Sequence, residues 1–255
     1  MNCATRILVA LIGLTFAAFT ASAAKPNILV LLADDMGYSD IGCYGSEIAT
    51  PNLDRLARNG LRFSQFYNTG RCCPSRASLL TGLYAHQAGV GHMLGKTGFP
   101  GYAENLRADT ATLAEVLKSA GYSTYMAGKW HVGLADSANP LARGFDRFYG
   151  SRNYVDSYFT VVPGTDVYLD DKIVNPARKP PVNHLHPDQE WYTTDVFTDY
   201  ALHFLDEPDA RSNRPPFFLY CSVQKSNDIK PPPGYTWCLA SERKIGSGRS
   251  AFGAI

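Results

Sequence analysis

Asn27-Ile28-Leu29-Val30-Leu31-Leu32-Ala33 is a short continuous apolar run that ends on two adjacent carboxylates, Asp34 and Asp35. A run of this length with no helical period reads as a strand buried on both faces, and such strands belong to parallel sheets covered by helices. A second core of the same kind, Phe217-Phe218-Leu219-Tyr220, sits inside a strand predicted from Pro216 to Val223. Open α/β sheets bind ligands at the C-terminal edge of their strands, where Asp34 and Asp35 stand. Neighbouring carboxylates there are costly unless a cation neutralises them, and paired oxygen donors suit calcium or magnesium better than zinc. Spacing alone also allows a solvated acidic turn before Gly37.

The stretch from Gly70 to Gly82 (Gly-Arg-Cys-Cys-Pro-Ser-Arg-Ala-Ser-Leu-Leu-Thr-Gly) carries reactive residues rather than a packing pattern. Pro74 suits a first helical turn, where no N–H partner is needed, and Gly82 suits the stop. Cys72 therefore stands at or just before a helix N-terminus, where unpaired amides and the macrodipole favour an anion. Arg76, about one turn on, keeps its charge and can swing back over Cys72. Read blandly, Cys72 and Cys73 are half-cystines or small buried side chains.

The rest of the chain alternates helix and strand signals. Thr50 and Pro51 open a helix from Asn52 to Asn59, stopped by Gly60, with Leu53 and Leu56 as its buried face. Leu61 to Tyr67 has an imperfect strand alternation, and the glycine-rich loop beyond the Cys72 helix holds His86 and His92, to which no role is given. Asp109 or Thr110 caps a helix from Ala111 to Ala120, with Leu113, Val116 and Leu117 on one face. A strand from Tyr122 to Ala127 then delivers Gly128-Lys129-Trp130-His131. In an extended segment Lys129 and His131 share a face, so an ammonium and an imidazole can converge to neutralise an anionic group and move a proton. Surface decoration is the other reading of so short a motif. Tyr154 to Gln189, punctuated by prolines, reads as a surface excursion that sets substrate choice, with His184 and His186 solvated, and a helix follows from Tyr192 to Leu205.

From Cys72 to Gly82 the chain resembles the type I sulfatase signature C-x-P-S-R-x-x-L-x-T-G at every specified position. Pro26-Asn27-Ile28 with Asp34-Asp35-Met36-Gly37, then Thr50-Pro51-Asn52-Leu53-Asp54, Gly128-Lys129-Trp130-His131-Val132-Gly133, Gly144-Phe145-Asp146 and Phe148-Tyr149-Gly150, resemble further segments of that family in the same order. The resemblance implies an alkaline-phosphatase-like α/β fold, a mainly parallel sheet with helices on both faces. It implies hydrolysis of a sulfate ester, with Cys72 oxidised by a formylglycine-generating maturation enzyme and the hydrated aldehyde attacking sulfur. On the same resemblance Asp34, Asp35 and residue 72 bind calcium, with magnesium as the substitute. Arg76 helps activate the nucleophile, and Lys129 and His131 steady charge on the sulfuryl oxygens. The implied partner is a sulfated small molecule or carbohydrate. Phosphoryl groups share the geometry, which keeps a phosphonate or phosphate ester hydrolase of the same superfamily open.

Composition bears on location and completeness. Met1 to Ala24 combines Arg6, an apolar run from Ile7 to Phe19 and a small-residue ending at Ala21-Ser22-Ala23. This is the pattern of a secretory signal, so the expected location is periplasmic or extracellular, with no stable membrane span after cleavage; an uncleaved anchor is the alternative. Of six cysteines, Cys3 would leave with that signal, and the odd number remaining leaves at least one unpaired within the chain. A formal net charge of +1 without a dense basic run leaves no footprint for nucleic acid. After Val223 the chain departs from the family: Gln224-Lys225-Ser226-Asn227-Asp228-Ile229-Lys230 and three prolines replace its histidine-proline segment, and its later aspartate-asparagine pair and lysine do not follow. The expected division is signal 1–24, N-terminal catalytic region 25–223 and an atypical tail 224–255, truncated or out of frame. A catalytically silent exported fragment is the rival from outside enzymology.

Overall fold

The computed structural model describes residues 25–95, 97–155, 157–177, 179–207 and 215–224. The expected signal segment, and all of the expected tail beyond residue 224, lie outside them. Six strands, β1 (Ile28–Asp34), β2 (Ser123–Gly128), β3 (Arg147–Ser151), β4 (Val167–Leu169), β5 (Lys172–Asn175) and β6 (Phe217–Gln224), form one sheet in the order β1-β6-β2-β3-β4-β5. β1, β6, β2 and β3 run parallel, and the β4–β5 hairpin extends the sheet antiparallel from β3. That hairpin comes from the proline-punctuated excursion. Register brings Asp34 beside Gln224 and Gly128 beside Ser222, so the C-terminal ends of β1, β6 and β2 lie close together.

Four α-helices, α1 (Pro51–Asn59), α2 (Cys72–Thr81), α3 (Leu113–Ser119) and α4 (Thr193–Asp206), and three single-turn 3-10 helices complete the described regular structure. Strand alternation sorts the core into two layers. Met126, Phe148, Phe218 and Tyr220 point to one side and pack with Cys73, Ala77 and Leu80 of α2 and Ala114 of α3. Ala127, Tyr149, Leu219 and Cys221 point to the other and meet α4 through Val196, Phe197, Tyr200, Ala201 and Phe204. Tyr149 and Tyr200 stack at 3.5 Å with their rings 4° from parallel. Burying a side chain such as Phe148 or Phe218 contributes about 1.5–3 kcal/mol, so the layers hold the sheet as a platform. Helices cover both faces, as expected.

Four expectations are corrected. Among the described strands β1 lies at the edge: Ile28, Val30 and Leu32 face the α2 layer, whereas Leu29 and Leu31 on the opposite face are 53% and 38% exposed, because α4 packs on β2, β3 and β6. The segment from Leu61 to Tyr67 forms no strand and leaves Leu61, Phe63 and Tyr67 exposed. α1 turns Leu53 inward while Leu56 is exposed. α3 starts at Leu113 because Thr112 accepts from the Glu115 amide and Glu115 accepts from the Thr112 amide, a reciprocal capping box two residues beyond Thr110. Its inward residues are Ala114 and Leu117, with Leu113 and Val116 turned outward.

Candidate active site

The site is built where β1, β2 and β6 end. Gly128 closes β2 with φ +111, and a Cβ there would lie 1.8 Å from the Ser222 carbonyl oxygen. Only glycine lets β2 pass β6 so closely. Just beyond, the Lys129 amide donates to the Ser222 carbonyl at 3.2 Å, the Trp130 amide to Ser151 at 2.9 Å and the His131 amide to Arg152 at 3.2 Å. The fully buried Trp130 anchors the segment, donating from Nε1 to the Ala138 carbonyl at 2.8 Å and standing edge-on to Phe145. His131 lies in the left-handed region at φ 57, as does Asp35 at φ 65, so both flank the site in conformations that side chains seldom adopt.

Because the chain bends at His131, Lys129 and His131 reach two neighbouring points rather than the single point of an extended segment. The Lys129 ammonium donates to Asp34 Oδ2, where Arg76 Nη2 also donates at 3.2 Å. All three side chains are buried. Burial opposes ionisation of Asp34, but Arg76 and then Lys129 outweigh it and hold the carboxyl below its usual range. Arg76 reaches toward the ends of β1, β2 and β6. Its Nη1 donates to the Lys129 carbonyl at 2.5 Å, to Ser222 Oγ at 2.7 Å and to Tyr220 Oη at 3.4 Å, which fixes the guanidinium under the sheet edge.

Cys72 is the first residue of α2, with Gly82 as its left-handed stop at φ 68. Its Sγ lies 3.3 Å from His131 Nδ1. The adjacent Cys73 thiol donating toward it draws the Cys72 thiol down to about 3 against the effect of burial, with His131 and Lys129 adding to the pull. Cys73 is correspondingly pushed up. The His131 imidazole is pushed down, first by burial and then by Lys129 and Arg76, with Cys72 pulling the other way. Among the described residues, the metal-type donors gathered within 4.8 Å of one another are Cys72, Cys73 and His131; Asp34 and Asp35 are outside that group. None of Cys43, Cys72, Cys73 and Cys221 is in a disulfide.

The Sulfatase family model matches residues 26–244. The chain belongs to the sulfatase family. Arylsulfatase J of Mus musculus is 35% identical over 223 residues, 84% of this chain and 35% of that relative. The crystal structure of Ps i-CgsB in complex with k-i-k-neocarrahexaose superposes with a TM-score of 0.66 at 31% identity, over 80% of this chain and 46% of that one. BT4656 in complex with its substrate D-glucosamine-2-N,6-O-disulfate gives a TM-score of 0.58 at 28% identity, over 78% of this chain and 34% of that one. The fold is thus the N-terminal portion of the alkaline-phosphatase-like sulfatase architecture. The chain spans about a third of the length of the curated relatives it matches, 37% and 35% for the first two.

In this sulfatase chain, sequence reasoning missed the seat of Arg76. Ser222 and Tyr220 alternate inward on β6, and only the sheet order shows that this strand passes beneath α2. Met93 was missed too: its Sδ lies 3.7 Å from Cys72 Sγ and 3.8 Å from Cys73 Sγ. The other histidines stay outside the centre. His86 pairs with Tyr102 Oη at 3.0 Å, His92 is exposed, His184 approaches the Val174 carbonyl at 3.4 Å, His186 lies 3.9 Å from Asp199, and His203 lies 3.3 Å from Glu207.

Proposed function

We propose that this chain carries the nucleophile-bearing part of an exported sulfate ester hydrolase. The observation that carries the reading is the meeting of Cys72 and His131 at 3.3 Å beside the buried Asp34–Arg76–Lys129 cluster, at the C-terminal edge of the parallel sheet of a sulfatase. Oxidised to formylglycine and hydrated, residue 72 would supply an oxygen nucleophile toward sulfur. The Asp34–Asp35 pair fits a hard divalent cation in kind: both offer carboxylate oxygens, and Asp34 is held ionised at the sheet edge. Calcium takes about six or more oxygens, so Asp34, Asp35 and residue 72 would be part of its shell, with magnesium as the smaller substitute. The ion would polarise the sulfuryl group and favour the ionised nucleophile.

The chain's own residues supply the remaining steps. Arg76 and Lys129 bring fixed positive charge to a site that receives an anionic sulfate ester. His131, kept toward its neutral form by burial, presents Nδ1 to residue 72 and can accept a proton there and return it to a leaving oxygen. A sulfated carbohydrate or other small sulfate ester is the proposed substrate class, in line with the disulfated glucosamine bound by BT4656. Export is read from the composition of residues 1–24. Among the described residues no helix is long and apolar enough to cross a membrane.

Co-expression with a formylglycine-generating enzyme, then mass spectrometry and turnover assays, tests this reading. The peptide containing residue 72 should lose about 18 Da as thiol becomes aldehyde, and the converted protein should hydrolyse an aryl sulfate faster than its phosphate analogue. Faster phosphate turnover would transfer the reading to a phosphate ester hydrolase. Conversion without either turnover would mark a silent fragment.

A further inference from the structure

Four soft donors meet where α2 begins. Cys72 Sγ and Cys73 Sγ stand 3.7 and 3.8 Å from Met93 Sδ, and Cys72 Sγ stands 3.3 Å from His131 Nδ1. The sulfurs of Cys72 and Cys73 and a ring nitrogen of His131 lie within 4.8 Å of one another. With metal–sulfur bonds of about 2.3 Å, tetrahedral angles separate two sulfur ligands by about 3.8 Å, and a sulfur from an imidazole nitrogen by about 3.5 Å. The two cysteine–methionine separations match that edge, and the cysteine–histidine separation falls slightly inside it. Three of the six edges of a four-donor set thus lie near tetrahedral length, and the Cys72–Cys73 and Cys73–His131 edges fall within 4.8 Å.

The surroundings favour such an ion. Cys73 and His131 are 0% and 2% exposed, while Cys72 and Met93 are half-buried and leave a way in. Cys73 occupies a position that the sulfatase signature leaves open, so the nucleophile's chemistry does not require its thiol. Two thiols, an imidazole and a thioether form a soft set, and the thioether favours Cu(I) over zinc. With both thiolates formed, a monovalent ion leaves one net negative charge beside the Lys129 ammonium.

We propose that, while residue 72 is still a thiol, Cys72, Cys73, His131 and Met93 bind one soft closed-shell cation, Cu(I) before zinc, and that the bound ion masks Cys72 from oxidation. Binding displaces the Cys73 proton to solvent and moves no electrons. The binding step stands apart from the hydrolase reading; only the masking step rests on it.

The test uses the full chain made without a maturation enzyme, purified without oxygen in a non-thiol reductant and titrated with Cu(I) against bathocuproine disulfonate. One equivalent should be retained. Cys73→Ser should weaken retention by about 100-fold or more. Met93→Leu, which keeps the volume and removes the thioether, should weaken Cu(I) about tenfold and leave zinc unchanged. Cys43→Ser should change neither, and one equivalent of Cu(I) should block alkylation of Cys72 by iodoacetamide. Failure of the wild-type chain to hold Cu(I), or equal retention by Cys73→Ser, overturns the site. Equal Cu(I) retention by Met93→Leu, or tighter zinc than Cu(I), overturns the Cu(I) assignment. None of these readouts involves turnover or the mass change at residue 72, so the hydrolase reading can fail separately.

Discussion

Two cations meet one oxygen of Asp34, and this concentrates the energetic risk of the site in a single buried carboxylate. Replacing Lys129 with Met removes a cation of similar length and leaves Arg76 alone to neutralise the charge. Breaking a buried pair from one side costs about 3–5 kcal/mol, and chemical denaturation of Lys129→Met at neutral pH should show a loss of that order. A loss under about 1 kcal/mol would mean that Asp34 is neutral or hydrated and that the cluster is mis-assigned. Cys72 makes a second prediction at this scale. With its thiol drawn down to about 3, the unconverted residue is already thiolate, so alkylation by iodoacetamide should be nearly flat from about pH 5 to 8. Cys73→Ala removes the first cause of that shift and should restore a rate that climbs with pH. A wild-type rate that climbs tenfold per unit across the range would overturn the shift. Cys72 and Arg76 stood out from a long local motif, whereas Lys129 and His131 became candidates only through the resemblance of their segment to sulfatases. The direction of Arg76 was not legible, since it depends on Ser222, 146 residues away in sequence.

At the scale of elements, punctuation was the reliable signal and face assignment the weak one. Gly82 ends α2 where its freedom at positive φ predicts, and Thr50-Pro51 opens α1 at the expected place. α3 was harder to place because Thr110 and Thr112 both resemble caps, and only Thr112 has Glu115 three residues on. Its capping box also tethers the helix: Thr112 Oγ1 donates to the Arg143 carbonyl at 2.8 Å, and Arg143 Nε donates to Glu115 at 3.1 Å. Thr112→Ala should therefore cost about 1–2 kcal/mol by chemical denaturation, toward the upper end of cap losses. The sign of the pH effect follows from Glu115. Burial would raise its pKa, but Arg143 and the Thr112 amide outweigh burial and hold it below its ordinary 4.5. Its stabilisation is thus complete above that value and disappears as pH falls through the lowered one. Glu115→Gln should close its gap to wild type in that acid window; a gap that widens there would contradict the assignment. The absent strand at Leu61 to Tyr67 illustrates the same limit, since alternation predicts a strand only where a neighbouring strand offers hydrogen bonds.

For the whole molecule, the sheet order decides what an apolar sequence could not. Ile28 to Ala33 reads as buried on both faces, yet at the sheet edge one face lies against the α2 layer while Leu29 and Leu31 stay open. Composition registers how apolar a strand is and carries no information about its place in the sheet. The open face belongs to the strand that ends on Asp34, so the site and an exposed apolar strip of the sheet share one element. A dye that reports accessible apolar surface should accordingly bind the native chain, and Leu29→Lys combined with Leu31→Glu should reduce its fluorescence. Because those side chains keep 53% and 38% of their surface exposed, the double substitution should cost no more than about 1–2 kcal/mol. β1 should keep its register with β6, since Ile28, Val30 and Leu32 still anchor it from the other face. Unchanged dye binding, or a loss of several kcal/mol, would show that Leu29 and Leu31 are covered in solution and that β1 is a two-sided core strand after all.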